Sequence, residues 1–254
     1  MRIGPQDQRA SAISTSTAAT ITVRGRDLCG ELIGKTDFTS YFWLLVTGRV
    51  PSENQRFFAD AVLTAIAEHG LVPSVVAARM TYAAAPEAFQ GAVAAGLLGC
   101  GSVVLGSAEA AGRFLHDLVE TGEDPGAAVD RLRAGRKAVP GFGHPLHAGG
   151  DPRANLLLEL AAEKGVEGRY VRALRAVEAA LPETLGRALP INVNGAIPAV
   201  MLDVGFPLAA LKGLSLLART ASLIAHLNEE SERPIGFILS GEAAAAIAYD
   251  GPEG

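Results

Sequence analysis

Along most of this chain, apolar residues recur three and four positions apart, the spacing that lines one face of an α-helix. The exception comes first. Within residues 11–24, the run STSTAATITVR alternates threonine and isoleucine with small residues and reads as strand. Helical periodicity then takes over. Thr36 is placed to cap a helix through FTSYFWLLVT, with Gly48 ending it. Pro51, Ser52 and Glu53 open the next helix, where Phe58, Val62 and Ile66 form an apolar stripe. Further helices are predicted near 73–84, 86–99, 101–121, 125–135, 151–164, 168–181, 196–203, 207–229 and 241–248. The pattern predicts an all-α fold of about ten helices. Residues 1–121 are expected to begin a large helical domain and residues 122–205 to form a smaller helical subdomain. Residues 206–254 would then return to the large domain.

Composition narrows the class. With 254 residues, 49% of them hydrophobic, the chain can bury a large core in one domain or two. A net charge of −5 without a basic run argues against a nucleic-acid partner. Cys29 and Cys100 are the only cysteines, too few for a disulfide framework or a thiolate metal site, so no metal is expected. The first residues lack the apolar core of a signal sequence. Residues 88–108 carry no charge and are long enough to span a bilayer. They are crowded with Gly, Ala and Ser, however, which suits two helices in close approach. The expectation is a soluble, cytoplasmic protein with no membrane partner. Lysine stands only at positions 35, 137, 164 and 212, and arginine supplies the other cations. High-GC codon usage produces that bias, and so does a need for planar forks that grip carboxylates and phosphates.

The candidate chemistry gathers in the loop PGFGHPLHAGGDPRA, residues 140–154. Such a loop is either a connector or a frame that holds polar side chains and bare backbone against a ligand. His144, between Gly143 and Pro145, is presented where no helix can continue. Arg153 follows Asp151 and Pro152, an N-cap and a first-turn proline. A cation there opposes the helix dipole unless an anion joins it. Arg219 falls among apolar residues of LLARTASLIAHL, where the nearest acids are Glu229, Glu230 and Glu232. Arg233 precedes Pro234 in an extended setting, either solvated or facing a ligand. His116 sits mid-helix among charges and reads as an ordinary histidine. His69, before Gly70, reads locally as a helix-terminal histidine with a glycine cap.

PGFGHP followed by DPRA resembles the signature of the citrate synthase superfamily, which includes citryl-CoA lyases and the citryl-CoA lyase module of ATP-citrate lyase. TVRGRDLCGELIGK, EHGLVPSVVAAR, GLLGCGSVVLGSAEAA, NVNGAI and ARTASLIAHLNEESERP resemble other family segments, in family order. The short length and the NVNGAI sequence sit nearer the lyase branch. The resemblance implies a citrate synthase-like all-α fold, a homodimer, and an acyl-CoA substrate or product with an oxo-dicarboxylate. It gives His69 to the substrate's carboxylate or hydroxyl region and His144 to proton exchange with the hydroxyl oxygen. Arg153, Arg219 and Arg79 join the substrate-binding set, and Arg233 reaches into the partner's site. Pro140, Gly141, Phe142 and Gly143 lie against coenzyme A.

Two positions depart from the family pattern. Val104 stands where active synthases carry a histidine that polarises the thioester, a histidine the ATP-citrate lyase module also lacks. Asn194 stands where they carry the aspartate that exchanges the α-proton. An amide is no general base. Asn194 either donates a hydrogen bond to an enolate oxygen or caps a helix beginning at Gly195. Two functions follow. One is a citryl-CoA lyase-like enzyme that cleaves a 3-hydroxyacyl-CoA by a retro-aldol reaction. The other is a homologue that binds CoA esters and carboxylates without lyase activity.

Overall fold

The computed structural model describes residues 9–101, 106–143 and 150–252. His144, His147 and Val104 lie outside the described residues. The chain divides into two compact units, one through Asp60 and one from Ala61.

In the first unit, the threonine-rich stretch forms β1 (Ser14–Ser16) and β2 (Ile21–Val23), antiparallel with Ser14 opposite Val23. Thr17 Oγ1 closes their turn by accepting from the Ala19 and Thr20 amides. β3 (Arg26–Asp27) adds to β2 across Arg24 and Gly25, both at positive φ, the conformation of a tight hairpin turn. One π-helical turn (Leu28–Leu32) precedes α1 (Phe38–Thr47). Asp37, not Thr36, caps α1, its Oδ1 accepting from the Ser40 amide at 2.8 Å. A carboxylate one residue later simply reaches the first turn better. Gly48, at φ 74°, ends the helix as expected. Val23, Leu32 and Leu44 form this unit's core, with Leu28, Tyr41 and Leu45 against them. α2 (Glu53–Ala67) starts here with a reciprocal cap, the Gln55 amide on Ser52 Oγ and the Ser52 amide on Gln55 Oε1.

The second unit is helical throughout its described residues. α3 (Pro73–Ala84) and α4 (Phe89–Leu98) pack on α10 (Leu211–Glu232), and α11 (Gly236–Ala246) packs on α3. α5 (Ser107–Thr121), α7 (Pro152–Glu163) and α8 (Arg169–Leu185) gather around α9 (Val193–Asp203), and α6 (Pro125–Ala134) packs on α8. Every residue of α9 from Gly195 to Leu202 is buried. The uncharged run 88–108 is not one helix, since α4 ends at Leu98 and α5 starts at Ser107. Its small residues do let neighbours come close. A Cβ on Gly96 would stand 2.7 Å from the Leu223 methyls and 2.9 Å from the Ser74 carbonyl. Only the stretch Leu208–Glu232 is, among the described residues, long and apolar enough to cross a membrane, and it carries buried Arg219 and Glu230.

Candidate functional site

The backbone of residues 139–143 is stitched to the segment that leads into α9. The Gly143 amide donates to the Pro190 carbonyl at 2.8 Å, and the Asn192 amide donates to the Gly141 carbonyl at 3.0 Å. Asn192 Nδ2 donates to the Gly143 carbonyl at 2.6 Å. Gly141 turns through φ 90°, and a Cβ there would sit 2.7 Å from the Gly195 Cα. Gly141 is thus required by contact between two backbones, and Gly143 by its φ of 75°.

Asn192 also caps α9, its Oδ1 accepting from the Asn194 amide at 3.0 Å. Asn194 is therefore the second residue of the helix and not its cap. The capping reading of Asn194 falls, because the first asparagine of NVN already occupies that role. The Asn194 side chain is half-buried and makes no hydrogen bond among the described residues.

α7 begins at the same place. Asp151, fully buried, accepts from the Arg153 amide and Nε on Oδ1, each at 3.0 Å. Its Oδ2 accepts from Arg153 Nη2 and from the Val193 amide, again at 3.0 Å. Arg153 thus has an acidic partner of its own, the anion its first-turn position called for. Burial pushes the Asp151 carboxyl up. The Arg153 side chain, the Val193 and Arg153 amides and the Arg153 charge outweigh it and hold the group below the usual aspartate range.

Beside the loop lies a cavity of about 380 Å³ whose wall carries Arg133, Arg136, Lys137 and Arg187, with Val139 and Phe142 at its base. Arg133 Nη1 donates to the Thr184 carbonyl at 2.8 Å. No acidic side chain lines the cavity among the described residues. These four cations were not singled out from the sequence, although three of them fall within RLRAGRK just ahead of the loop. Arg187 arrives only through the fold, just past the end of α8.

A second cluster joins α3 to α10. Arg79, 2% exposed, donates Nε to Glu230 at 2.6 Å and Nη1 to Glu229 at 2.8 Å. Its Nη1 also meets His226 Nδ1 at 3.2 Å, and Nη2 reaches the Arg233 carbonyl at 3.4 Å. The substrate contact implied for Arg79 is not what this geometry offers, because protein atoms meet all three of its nitrogens. Glu230 also accepts from the Ile235 and Gly236 amides, so it caps α11 as well. Arg233 follows directly, with its side chain exposed.

With Glu229 and Glu230 turned to Arg79, buried Arg219 has no carboxylate among the described residues. Its Nη1 reaches only Ser222 Oγ, at 3.5 Å, and its Nε is buried without a partner. A buried cation left with an open donor is a ready carboxylate receptor. Ser222 Oγ donates to Glu68 at 2.6 Å, and His226 Nε2 lies 3.1 Å from the same carboxylate. Because His226 Nδ1 faces an arginine donor, the ring is assigned as the Nε2–H tautomer. His69, next to Glu68, is exposed. Burial acts to raise the Glu68 pKa, but bonds from Ser222, the Gly70 amide and His226 overcome it and lower the value to about 2. A carboxylate depressed in this way contributes stability above its unfolded value of 4.5 and loses it as pH falls toward 2. Glu68→Gln should therefore flatten the acid arm of a urea-midpoint profile between those limits and leave it unchanged in shape above pH 5. An unchanged acid arm would contradict the network.

The structure thus groups Asn194, Arg153 and Gly141–Gly143 around Asp151 and Asn192. It groups Arg79, Arg219 and Arg233 along α10, where Glu68, the neighbour of His69, also docks. Among the described residues, no three histidine, cysteine or acidic side chains gather as a metal site would require.

Residues 11–236 match the family described as citrate synthase, C-terminal domain. A citrate synthase of Synechocystis sp. is 28% identical over 203 residues, 77% of this chain and 50% of that protein. Putative citrate synthase 2 of Mycobacterium tuberculosis is 31% identical over 176 residues, 67% of this chain and 46% of that one. The chain spans about half the length of these citrate synthases. The structure of citryl-CoA lyase from Hydrogenobacter thermophilus superposes with a TM-score of 0.89 at 27% identity, covering 96% of this chain and 95% of that one. ATP citrate lyase from Methanothrix soehngenii, in complex with citrate and coenzyme A, shares the fold at TM-score 0.81 and 23% identity. It covers 99% of this chain, which covers 43% of it.

Proposed function

The chain belongs to the citrate synthase family, and on that premise we propose that it cleaves citryl-CoA, or a related 3-hydroxyacyl-CoA, by a retro-aldol reaction. The observation that carries the reading is the cationic cavity against residues 139–143. Coenzyme A combines a 3′-phosphate and a diphosphate with a long pantetheine arm. Four cations beside a loop of bare backbone suit both parts.

In this reading the hydroxyl proton of the substrate leaves to a base, the role the resemblance gives His144. The C–C bond next to that carbon breaks, releasing an oxo-acid, and its electron pair forms the acyl-CoA enolate. Protonation of the enolate carbon completes the cleavage. Arg153 and Arg219 hold the substrate's carboxylates, a role supported for Arg219 by a guanidinium that no carboxylate meets among the described residues. Asn194 donates from its side chain to the enolate oxygen. Exposed Leu98, Ile224, Phe237 and Ile238, on the α4, α10 and α11 group, supply the face for a second copy, bringing Arg233 to the partner's site.

The test is oxaloacetate release from citryl-CoA, read alongside binding of CoA and dephospho-CoA. Turnover is expected, with dephospho-CoA bound about tenfold more weakly, and Arg136→Ala with Arg187→Ala erasing the difference. CoA binding without turnover would favour the second reading, a homologue that binds CoA esters, to which the uncharged Asn194 points.

A further inference from the structure

We propose that Asp151 is the positioning residue of this site: it turns the free fork of Arg153 toward the substrate carboxylate and sets the first turn of α9 beside it. The proposal rests on the reading of Arg153 as a substrate-binding residue. A helix cap needs one acceptor, and an asparagine or serine supplies it. Asp151 does more than that. Its Oδ1 accepts from the Arg153 amide and Nε, and its Oδ2 accepts from Arg153 Nη2 and the Val193 amide, across 42 residues of chain.

A guanidinium carries five N–H groups in one plane. Asp151 takes the edge formed by Nε and Nη2. The other edge, both Nη1 protons and the second Nη2 proton, has no partner among the described residues and suits a second carboxylate in the same plane. The Arg153 side chain is 27% exposed while Asp151 is 0% exposed, so the carboxylate that fixes one edge is interior while part of the arginine reaches the surface. Pinning the plane before binding removes rotamer freedom that a ligand would otherwise have to freeze.

The Val193 bond adds the second half. The first amides of α9 are all satisfied within the protein: Val193 by Asp151, Asn194 by the Asn192 side chain, and Gly195 and Ala196 by the Asn192 carbonyl. The end of α9 therefore offers an anion no open backbone donor. Recognition falls to the side chains of Arg153 and Asn194, and one carboxylate sets the helix ends that carry both.

The experiment measures oxaloacetate and CoA affinities by calorimetry. Asp151→Asn keeps the shape and one acceptor but turns a donor toward Val193 and Arg153. It should weaken oxaloacetate about tenfold and leave CoA within about twofold, since Asn192 holds the CoA loop. A merely structural role would move both ligands. In an Arg153→Gln background, Asp151→Asn should add less than about twofold to the oxaloacetate loss, because its effect travels through Arg153. If Arg153→Gln weakens oxaloacetate and Asp151→Asn does not, the positioning role is overturned. If Arg153→Gln has no effect, the substrate-binding reading of Arg153 falls, and this proposal with it. Should Asp151→Asn fail to fold, Arg153→Lys decides. Lysine keeps the charge but lacks a second edge, so it should bind oxaloacetate as weakly as the glutamine variant, and wild-type affinity would overturn the proposal.

Discussion

Glu230→Gln is expected to lower the free energy of unfolding by about 3 kcal/mol, the low end of what breaking a buried ion pair costs. The pair joins Arg79 Nε to Glu230 at 2.6 Å, with both side chains nearly inaccessible at 3% and 1% exposure. Burial raises the Glu230 pKa, but the Arg79 side chain and the Gly236 and Ile235 amides overcome it and hold the carboxyl low. Glutamine has the same shape, and its Oε1 can still accept from the two amides that open α11. The substitution therefore removes the charge opposite Arg79 and turns an NH2 donor toward its Nε. The guanidinium keeps Glu229, whose side chain is 49% exposed, and a wet carboxylate compensates a buried cation poorly. Urea denaturation should show a lower midpoint at unchanged slope. Glu229→Gln should move the midpoint far less. Equal effects of the two substitutions would show that burial does not decide this network.

That network also shows where the chain outruns its own periodicity. α3 lies at 73–84, as the apolar spacing and Pro73 predicted. α11 was expected at 241 and begins at Gly236, because its first amides are satisfied by Glu230, a residue of the preceding helix. α9 was expected at 196 and begins at Val193, because Asp151 receives that amide from another part of the chain. At α9 the Asp151 carboxylate supplements the local cap from Asn192, and at α11 the cap comes from Glu230, six residues back in the preceding helix. Arg79, which the family resemblance placed among the substrate-binding residues, meets Glu229 and Glu230 some 150 residues away, partners that no local reading shows. Arg219 was easier to read. It stands among apolar residues, its one hydrogen bond goes to Ser222 a turn away, and its Nε is without a partner in the structure. Arg133, Arg136 and Lys137 passed unread in the sequence, and their alignment on one wall with Arg187 required the packing of α6 against α8.

Asn194→Asp should lower citryl-CoA turnover about a hundredfold while raising proton exchange at the methyl group of acetyl-CoA. The fold makes this substitution readable. Asn192, not Asn194, caps α9, so no capping bond is lost. An acid in a helix's first turn also meets a favourable dipole, so stability should hold or rise slightly. What changes is chemistry at a half-buried side chain with no other task among the described residues. If the neutral amide donates to a developing enolate oxygen, aspartate replaces that donor with a negative charge, and turnover falls by what a lost oxyanion-hole donor costs. The new carboxylate is a base, so deuterium from heavy water should enter acetyl-CoA faster than in the wild type. A rise in turnover would mean that a base had been missing, and that citryl-CoA is not the substrate this asparagine serves. If neither rate moves, Asn194 lies outside the reacting centre, and the cleavage assigned to this site loses its enolate donor. Because stability is expected to hold in each case, a fall in turnover cannot be charged to unfolding, and its sign tells whether this position answers to a neutral donor or to a base.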